Sequence, residues 1–272
     1  MMDVIEIVDA ADPAVADFRD LTAADRRPDR PGGRGLVIAE GTIVVRRLLA
    51  SAYPIRALLG VRRRIDELAD DLAGVAGPAY VTSAELMTEI VGFHLNRGVL
   101  AVADRAPQPS PAELMRRARL LVVLEGVGDH ENLGALFRNA AALGVDGVLL
   151  ASGPKTGCAD PLYRRAVRVS MGHVLRVPFA TLTPWPDALD SLRTKGFTIA
   201  ALTPAHTATP LHEAGLAGGK VALLLGSEGH GLSRPALENA DIAVRIPMAP
   251  GVDSLNVATA AAIACYAVTC NA

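Results

Sequence analysis

The sequence predicts an α/β protein in which a carboxyl-terminal domain with a parallel sheet follows a small α/β sandwich domain. Aliphatic runs of strand length alternate with amphipathic helical segments along most of the chain, as in strands joined by crossover helices. The tract APQPSP, residues 106–111, interrupts this alternation, because proline neither continues a helix nor donates to a sheet. Half of the 272 residues are hydrophobic, enough for a core on each side of the tract. We therefore expect a first domain at 1–107, a linker at 108–115 and a second domain at 116–272.

The composition excludes several classes of protein. A formal net charge of −2 argues against a general polyanion binder but leaves room for a local basic surface. The three cysteines form no CxxC pair, and neither they nor the six histidines show metal-ligand spacing. The first residues are acidic where a signal peptide is basic, and the longest apolar run, 257–270, is too short to cross a bilayer. These features predict a cytoplasmic protein with free thiols, no metal and no membrane contact.

In the first domain, strands are predicted at 36–40, 55–60, 79–81 and 98–104, separated by helices at 42–51, 62–73 and 83–92. Residues 1–35 show no clear pattern and end in a loop rich in proline, glycine and arginine. Two interpretations of this loop stay open. It is either a solvated linker or a flexible arm that binds RNA phosphates. The arginines concerned are Arg19, Arg26, Arg27, Arg30 and Arg34.

In the second domain the alternation of strands and helices is stronger. Strands are predicted at 120–125, 145–151, 174–179, 197–202, 221–226 and 241–246, with helices at 131–143, 161–169, 184–194, just after Leu232, and at 257–270. Strands separated by helices imply a parallel sheet, and such sheets bind ligands beyond the carboxyl ends of their strands.

Two loops at those carboxyl ends are candidates for ligand binding. One is GSEGHGLS, 226–233, and the other, 246–256, precedes the last helix. Glycines allow a backbone to approach a ligand closely, although GSEG also suits an ordinary strand-to-helix turn. The turn after 120–125 matches a dinucleotide fingerprint only in Gly126 and Gly128, because Glu131 stands where the third glycine belongs. This weakens both a dinucleotide enzyme and a Rossmann-type methyltransferase acting on a small molecule or base.

Three segments taken together are more specific than any one loop. They are NLGALFRNAAALG (132–144), LLLGSEGHGLS (223–233) and IPMAPGVDSLNVATA (246–260). In order, spacing and placement they resemble the three motifs of the SpoU/TrmH family of RNA ribose 2′-O-methyltransferases, in the SPOUT superfamily. The resemblance covers roughly residues 116–272. The preceding domain, with AEG at 39–41 and GVLAV at 98–102, looks like the ribosomal-protein-like, RNA substrate-binding domain of many members.

The resemblance implies a deep trefoil knot in the second domain, a homodimer formed through the last helix, and S-adenosylmethionine bound in the knot. The implied reaction is methyl transfer to a ribose 2′-hydroxyl of RNA, with ribosomal RNA favoured over transfer RNA. A tRNA 2′-O-methyltransferase and an RNA-binding protein without catalysis remain as alternatives. The matching cofactor-binding positions are Thr203, Gly226, Ile246, Met248 and Leu255. The matching catalytic positions are Asn132, Arg138, Glu228, Ser254 and Asn256.

The first motif departs from the family pattern in two ways. Its usual proline is absent from 129–132, and Asn139 follows Arg138 where threonine is usual. Neither change removes the arginine, which has been assigned as the base in this family. A charged guanidinium has no acceptor, so we expect Arg138 to stabilise the nascent alkoxide or to bind a neighbouring phosphate. For Ser254 and Asn256 the simpler interpretation is capping of the last helix, and Asn132 has the alternative role of fixing its turn.

Overall fold

The computed structural model describes residues 2–30 and 32–270, and they form two compact units. Unit 1 contains the chain as far as Pro107 together with Asp160–Arg176, and unit 2 contains Gln108–Ala159 and the chain from Val177 onward. The chain therefore passes between the units three times, and the proline-rich tract is only the first of these passages. The sequence analysis placed residues 160–176 in the second domain, whereas the structure groups them with the first.

The described residues form twelve strands and ten α-helices. The strands are β1 (Asp3–Glu6), β2 (Val37–Glu40), β3 (Ile55–Gly60), β4 (Pro78–Val81), β5 (Val99–Ala103), β6 (Leu120–Glu125), β7 (Gly147–Ala151), β8 (Phe179–Leu182), β9 (Phe197–Leu202), β10 (Thr209–Pro210), β11 (Lys220–Gly226) and β12 (Ile242–Arg245). The α-helices are α1 (Leu21–Ala24), α2 (Thr42–Leu49), α3 (Arg62–Glu67), α4 (Ala84–Val91), α5 (Pro111–Arg117), α6 (His130–Ala142), α7 (Arg164–Val169), α8 (Asp190–Thr194), α9 (Arg234–Glu238) and α10 (Val257–Cys270).

Unit 1 is built on a five-stranded mixed sheet with the order β1-β4-β3-β5-β2. Strands β1, β4 and β3 run parallel, and β5 runs antiparallel to both β3 and β2. The amino-terminal stretch, which had no clear sequence pattern, supplies the edge strand β1 and part of the core. Phe18 is fully buried and meets the ring of Tyr80 edge-on, with centroids 6.4 Å apart.

The arginines of that stretch are mostly engaged within the protein. Arg19 donates to the carbonyl oxygen of Asp12 at 2.8 Å. Arg34 forms an ion pair with Asp17 at 3.0 Å, and Arg27 forms one with Asp29 at 2.8 Å. The contacts of Arg19 and Arg34 join separate parts of the segment, whereas the Arg27–Asp29 pair lies within the exposed loop. Both interpretations of that loop stay open.

The segment Asp160–Arg176 is tied to unit 1 by polar contacts from several elements. The guanidinium of Arg105 donates two hydrogen bonds to the carboxylate of Asp160, at 2.5 and 3.2 Å. The backbone N–H of Arg164 donates to Asp25, and Arg47 donates to the carbonyl oxygen of Met171. Helix α7 packs on the edge strand β2, all of whose residues are buried.

The predicted strand at 174–179 is wrong. His173–Leu175 forms a short 3₁₀ helix in unit 1, and the strand of this region, β8, begins only at Phe179. Val174 and Leu175 are buried, so their aliphatic pattern reflects burial against unit 1 and not a place in the sheet of unit 2.

Unit 2 is built on a seven-stranded sheet with the order β10-β12-β9-β11-β6-β7-β8. Every pairing in it is parallel, which confirms the predicted α/β fold with a parallel sheet. Helices α5 and α8 pack against β8 and β9, while α10 packs against both α6 and β11. The loops after β9, β11 and β12 all leave the carboxyl edge of the sheet. No helix of the described residues is long and apolar enough to span a membrane.

Candidate active site

A cavity of about 840 Å³ opens at the carboxyl edge of the unit 2 sheet. It is formed by the loops after three neighbouring strands, β9, β11 and β12, and by the first turns of α10. Its apolar lining includes Leu202, Leu225, Val244 and Ile246. The polar lining residues are Thr203, from the loop after β9, and residues of the loop after β11 and of the stretch just before α10: Ser227, Glu228, His230, Asp253, Ser254 and Asn256.

The loop after β11 folds back on its own first residue. The N–H of Gly231 donates to the carbonyl oxygen of Ser227 at 2.9 Å. A Cβ added to Gly226 would lie 2.1 Å from the carbonyl carbon of Gly231, a distance that no side chain tolerates. Gly229 and Gly231 have positive φ angles of 86° and 66°. The glycines of GSEGHGLS are therefore required by the geometry of the turn.

Three predicted catalytic residues form one hydrogen-bond network beside the cavity. The side-chain amide of Asn256 donates to Glu228 Oε1 and to Asn132 Oδ1, both at 2.7 Å. The carbonyl oxygen of the same amide accepts from the backbone N–H groups of Ala258 and Thr259, at 3.0 and 3.2 Å. Asn256 thus caps α10 with one end of its side chain and joins the three motifs with the other.

Helix α6 holds the first motif against α10. Asp129 caps the helix by accepting from the N–H groups of Glu131 and Asn132, at 2.9 and 2.8 Å. Asn139, two turns after Asn132, donates to the carbonyl oxygen of Ala258 at 2.9 Å. Both asparagines therefore face the start of α10, as a spacing of seven residues places them on one side of a helix.

Arg138 is the predicted catalytic residue that stands apart from this network. Its side chain is exposed, and no hydrogen bond or ion pair of Arg138 is found among residues 2–30 and 32–270. It does not belong to the cavity lining, although its neighbour Asn139 contacts the first turn of α10. Arg138 is thus available to a ligand that approaches the junction of α6 and α10.

The other predicted site residues converge on the cavity. Its lining includes all five predicted cofactor-binding residues, Thr203, Gly226, Ile246, Met248 and Leu255. It also includes the predicted catalytic residues Glu228, Ser254 and Asn256. The roles of these residues stay predictions.

The sequence analysis did not single out the buried carboxylate of Glu125, at the end of β6. In the sequence, the only sign of this carboxylate is an acidic residue at the end of an aliphatic run of strand length.

Burial raises the pKa of the nearby Cys158 thiol to about 11, so this thiol stays protonated at neutral pH. The described part of the chain contains no cluster of His, Cys, Asp or Glu side chains that could hold a metal ion.

The comparisons with known proteins agree with one another. The model of the SpoU rRNA methylase family matches residues 119–266. A protein of Mycobacterium tuberculosis named as an uncharacterised tRNA/rRNA methyltransferase is 56% identical over 267 residues, which are 97% of this chain and 91% of that one.

Two solved structures resemble both units of the chain. The AdoMet-bound rRNA methyltransferase of Sinorhizobium meliloti has a TM-score of 0.78 at 25% identity, and the alignment covers 97% of each chain. A protein described as an RNA 2′-O ribose methyltransferase has a TM-score of 0.72 at 26% identity, again over 97% of each chain.

Proposed function

Because the chain belongs to the SpoU rRNA methylase family, we propose that it transfers a methyl group to a ribose 2′-hydroxyl of ribosomal RNA. Methyl transfer to RNA is the activity of the family, and S-adenosylmethionine is the cofactor. The acceptor atom and the class of RNA are the proposal. The observation that carries it is the convergence of the second and third motifs on one cavity, together with their link to the first-motif helix α6 through the Asn132–Asn256–Glu228 network.

The cavity suits S-adenosylmethionine. Its volume of about 840 Å³ lies in the range of small-molecule sites, roughly 300–1,000 Å³. Gly226, which has no room for a side chain, forms part of the cavity wall with its backbone. Thr203, Gly226, Ile246, Met248 and Leu255 would hold the cofactor, with aliphatic walls against its apolar parts. When bound, it supplies a methyl group made electrophilic by a sulfonium.

The protein's own residues contribute to methyl transfer by positioning the reacting groups and by stabilising charge. The network fixes the loop after β11 against α6 and α10, so the groups around the cavity are ordered before RNA arrives. Arg138, exposed beside the junction of α6 and α10, would approach the ribose and stabilise the charge that develops on its 2′-oxygen. A guanidinium has no acceptor for the hydroxyl proton, so Arg138 acts through charge and not as the base.

The choice of acceptor rests on the two structural neighbours. The S. meliloti rRNA methyltransferase aligns over both units, and the second neighbour is described as an RNA 2′-O ribose methyltransferase. We assign RNA substrate binding to residues 1–107. Of the predicted linker 108–115, the residues from Pro111 onward form the start of α5 in unit 2. A tRNA acceptor and an RNA-binding protein without catalysis are the alternatives. The proposed reaction takes place in the cytoplasm.

The proposal includes a homodimer through α10 and a trefoil knot in unit 2. Helix α10 carries no charged residue, yet part of it is exposed. Ile263 is 38% exposed and Tyr266 is 59% exposed, one turn apart on the same face. Such a face is well suited to a second copy of the chain.

Calorimetry with S-adenosylmethionine, followed by transfer of labelled methyl to RNA, tests the proposed function. The acceptor is total RNA from a strain that lacks this gene, and RNA from the parent strain serves as the matched control because its site is already methylated. We expect binding at one site per chain, and label in ribosomal RNA of the deletion strain only. Label in transfer RNA would favour the first alternative. Cofactor or RNA binding without transfer would favour the second.

A further inference from the structure

Glu125 lies behind the cavity and accepts hydrogen bonds from two loops, the one after β11 and the one after β8. It is the last residue of β6, its side chain is buried, and it pairs in register with Gly226 of β11. Its Oε2 accepts from the backbone N–H of Ser233 at 2.8 Å. Ser233 ends the loop that Gly226 begins, so Glu125 holds that loop at its far end.

The other carboxylate oxygen binds the only tryptophan of the chain. Glu125 Oε1 accepts from the indole N–H of Trp185 at 2.8 Å. Trp185 packs at the edge of the core between the sheet and helices α5 and α8. Glu125 forms no salt bridge with any residue that the structure describes, so these two N–H groups are its principal partners.

The chemistry of this arrangement requires a carboxylate. Both partners are donors, and a carboxylate offers an acceptor on each of its two oxygens. A glutamine of the same size would present its own N–H₂ group to one of the two donors. The buried position prevents water from relieving that clash.

We propose that Glu125 is a positioning residue that holds the Ser227–Ser233 loop in its cofactor-binding form and couples that loop to Trp185. This inference rests on the proposed function, because it takes the cavity as the S-adenosylmethionine site. Glu125 does not line the cavity, so it acts on the cofactor through the loop and not by contact. The indole of Trp185 then reports on the loop, because any shift of Ser233 changes the hydrogen bonding of the shared carboxylate.

The first test uses the wild-type protein and S-adenosylhomocysteine, which cannot react. Tryptophan emission is followed during a titration and compared with calorimetry on the same samples. We expect a saturable change in emission, and the Kd obtained from it should equal the Kd from calorimetry. Heat of binding without any change in emission would overturn the coupling. Absence of binding in calorimetry would contradict the proposed function itself, so the two failures are distinguishable.

The second test is Glu125→Gln, with Glu238→Gln as the matched control. Glu238 lies on α9 next to the same loop but is exposed and pairs with Arg234 at 2.7 Å. For Glu125→Gln we expect S-adenosylmethionine affinity to fall about ten- to hundred-fold, with kcat at saturating cofactor within a few-fold of wild type. The control should keep wild-type affinity. Circular dichroism confirms that both variants are folded at the assay temperature.

A residue that only supports the core would give a different result. Glu125→Gln would then lower thermal stability while the folded fraction bound cofactor with wild-type affinity, and that outcome would overturn the proposal. A fall in kcat at unchanged affinity would overturn it as well, because it would place Glu125 in the chemical step.

Discussion

Arg138 combines an exposed side chain with a position beside the proposed site. We expect Arg138→Ala to lower methyl transfer by about 10²–10³-fold, the usual effect of losing one donor that stabilises a developing charge. Affinity for S-adenosylmethionine should stay within about two-fold, because Arg138 does not line the cavity. Single-turnover rates and calorimetry on the same variant measure the two effects.

Arg138→Lys separates charge from geometry. Lysine keeps the charge but loses the planar fork, so partial recovery indicates simple electrostatics and no recovery indicates bidentate binding. Wild-type turnover of Arg138→Ala with saturating RNA would contradict the assigned role, and so would loss of cofactor binding.

Gly226→Ala tests the turn at the cavity wall. The added Cβ would lie 2.1 Å from a backbone atom of Gly231, so the loop must move. We expect cofactor binding to weaken at least about ten-fold, a change that calorimetry detects. Gly219→Ala is the control, because no atom lies within 4 Å of its added Cβ. Equal affinities of the two variants would show that the turn does not shape the site.

Asp25 makes the stability of the protein depend on pH. Burial raises its pKa from 3.8 to about 6, and its Oδ1 has no hydrogen-bond partner among the described residues. The folded state therefore holds this proton more tightly than the unfolded state. Its contribution to stability is present below about pH 4 and is lost as pH rises through 6.

Asp25→Asn should remove this dependence. A shift of two pKa units corresponds to about 3 kcal/mol, so we expect the variant to be more stable by up to that amount at pH 8, and nearly unchanged at pH 4. Urea unfolding at both pH values measures the difference. An equal change at the two pH values would show that the buried charge is not its cause.

At the scale of elements, the exposed face of α10 predicts a dimer. The wild-type chain of 28.3 kDa should sediment as two copies at micromolar concentration. Ile263→Asp places a charge on that face and should yield monomers, because an unpaired charge is costly to bury. The control Ile43→Asp makes the same change on α2, at a residue that is 50% exposed. A monomeric wild type would refute the proposed interface.

Sequence patterns predicted several elements of both units well. Strand β6 and helix α6 match their predictions within one residue, because an aliphatic run and an amphipathic stripe each fit one environment. The patterns failed where the chain changes partner. The run at 174–179 is apolar because Val174 and Leu175 are buried in unit 1, while Val177 and Phe179 are buried in unit 2. No local signal marks the passage between the units.

The candidate site was predictable to the same extent. Motif resemblance selected eight residues that line one cavity, and the family assignment is confirmed. Resemblance gave no information about Glu125, because its importance comes from two donors distant in sequence, Trp185 and Ser233. The proposed knot is likewise a property of the chain path, which no pattern of residues encodes.

At the scale of the whole molecule, three chain passages connect the units. The fragment 108–272 keeps every residue that lines the cavity, so we expect it to bind S-adenosylmethionine. It lacks the partners of Asp160–Arg176, however, and this segment contains four arginines. Trypsin should therefore cleave the fragment between 164 and 176 at least about ten-fold faster than the full-length protein. Mass spectrometry of timed digests locates the cuts. Equal protection in both would show that the segment folds without unit 1.

The same passages set the order in which the protein forms during translation. A nascent chain that has emerged as far as the proline-rich tract carries a sheet whose edge strand β2 still lacks its cover, because α7 is synthesised some sixty residues later. Until then this edge is open to pairing with other chains. Unit 1 therefore covers its edge strand only while unit 2 is already being synthesised, so the two units complete their folding together.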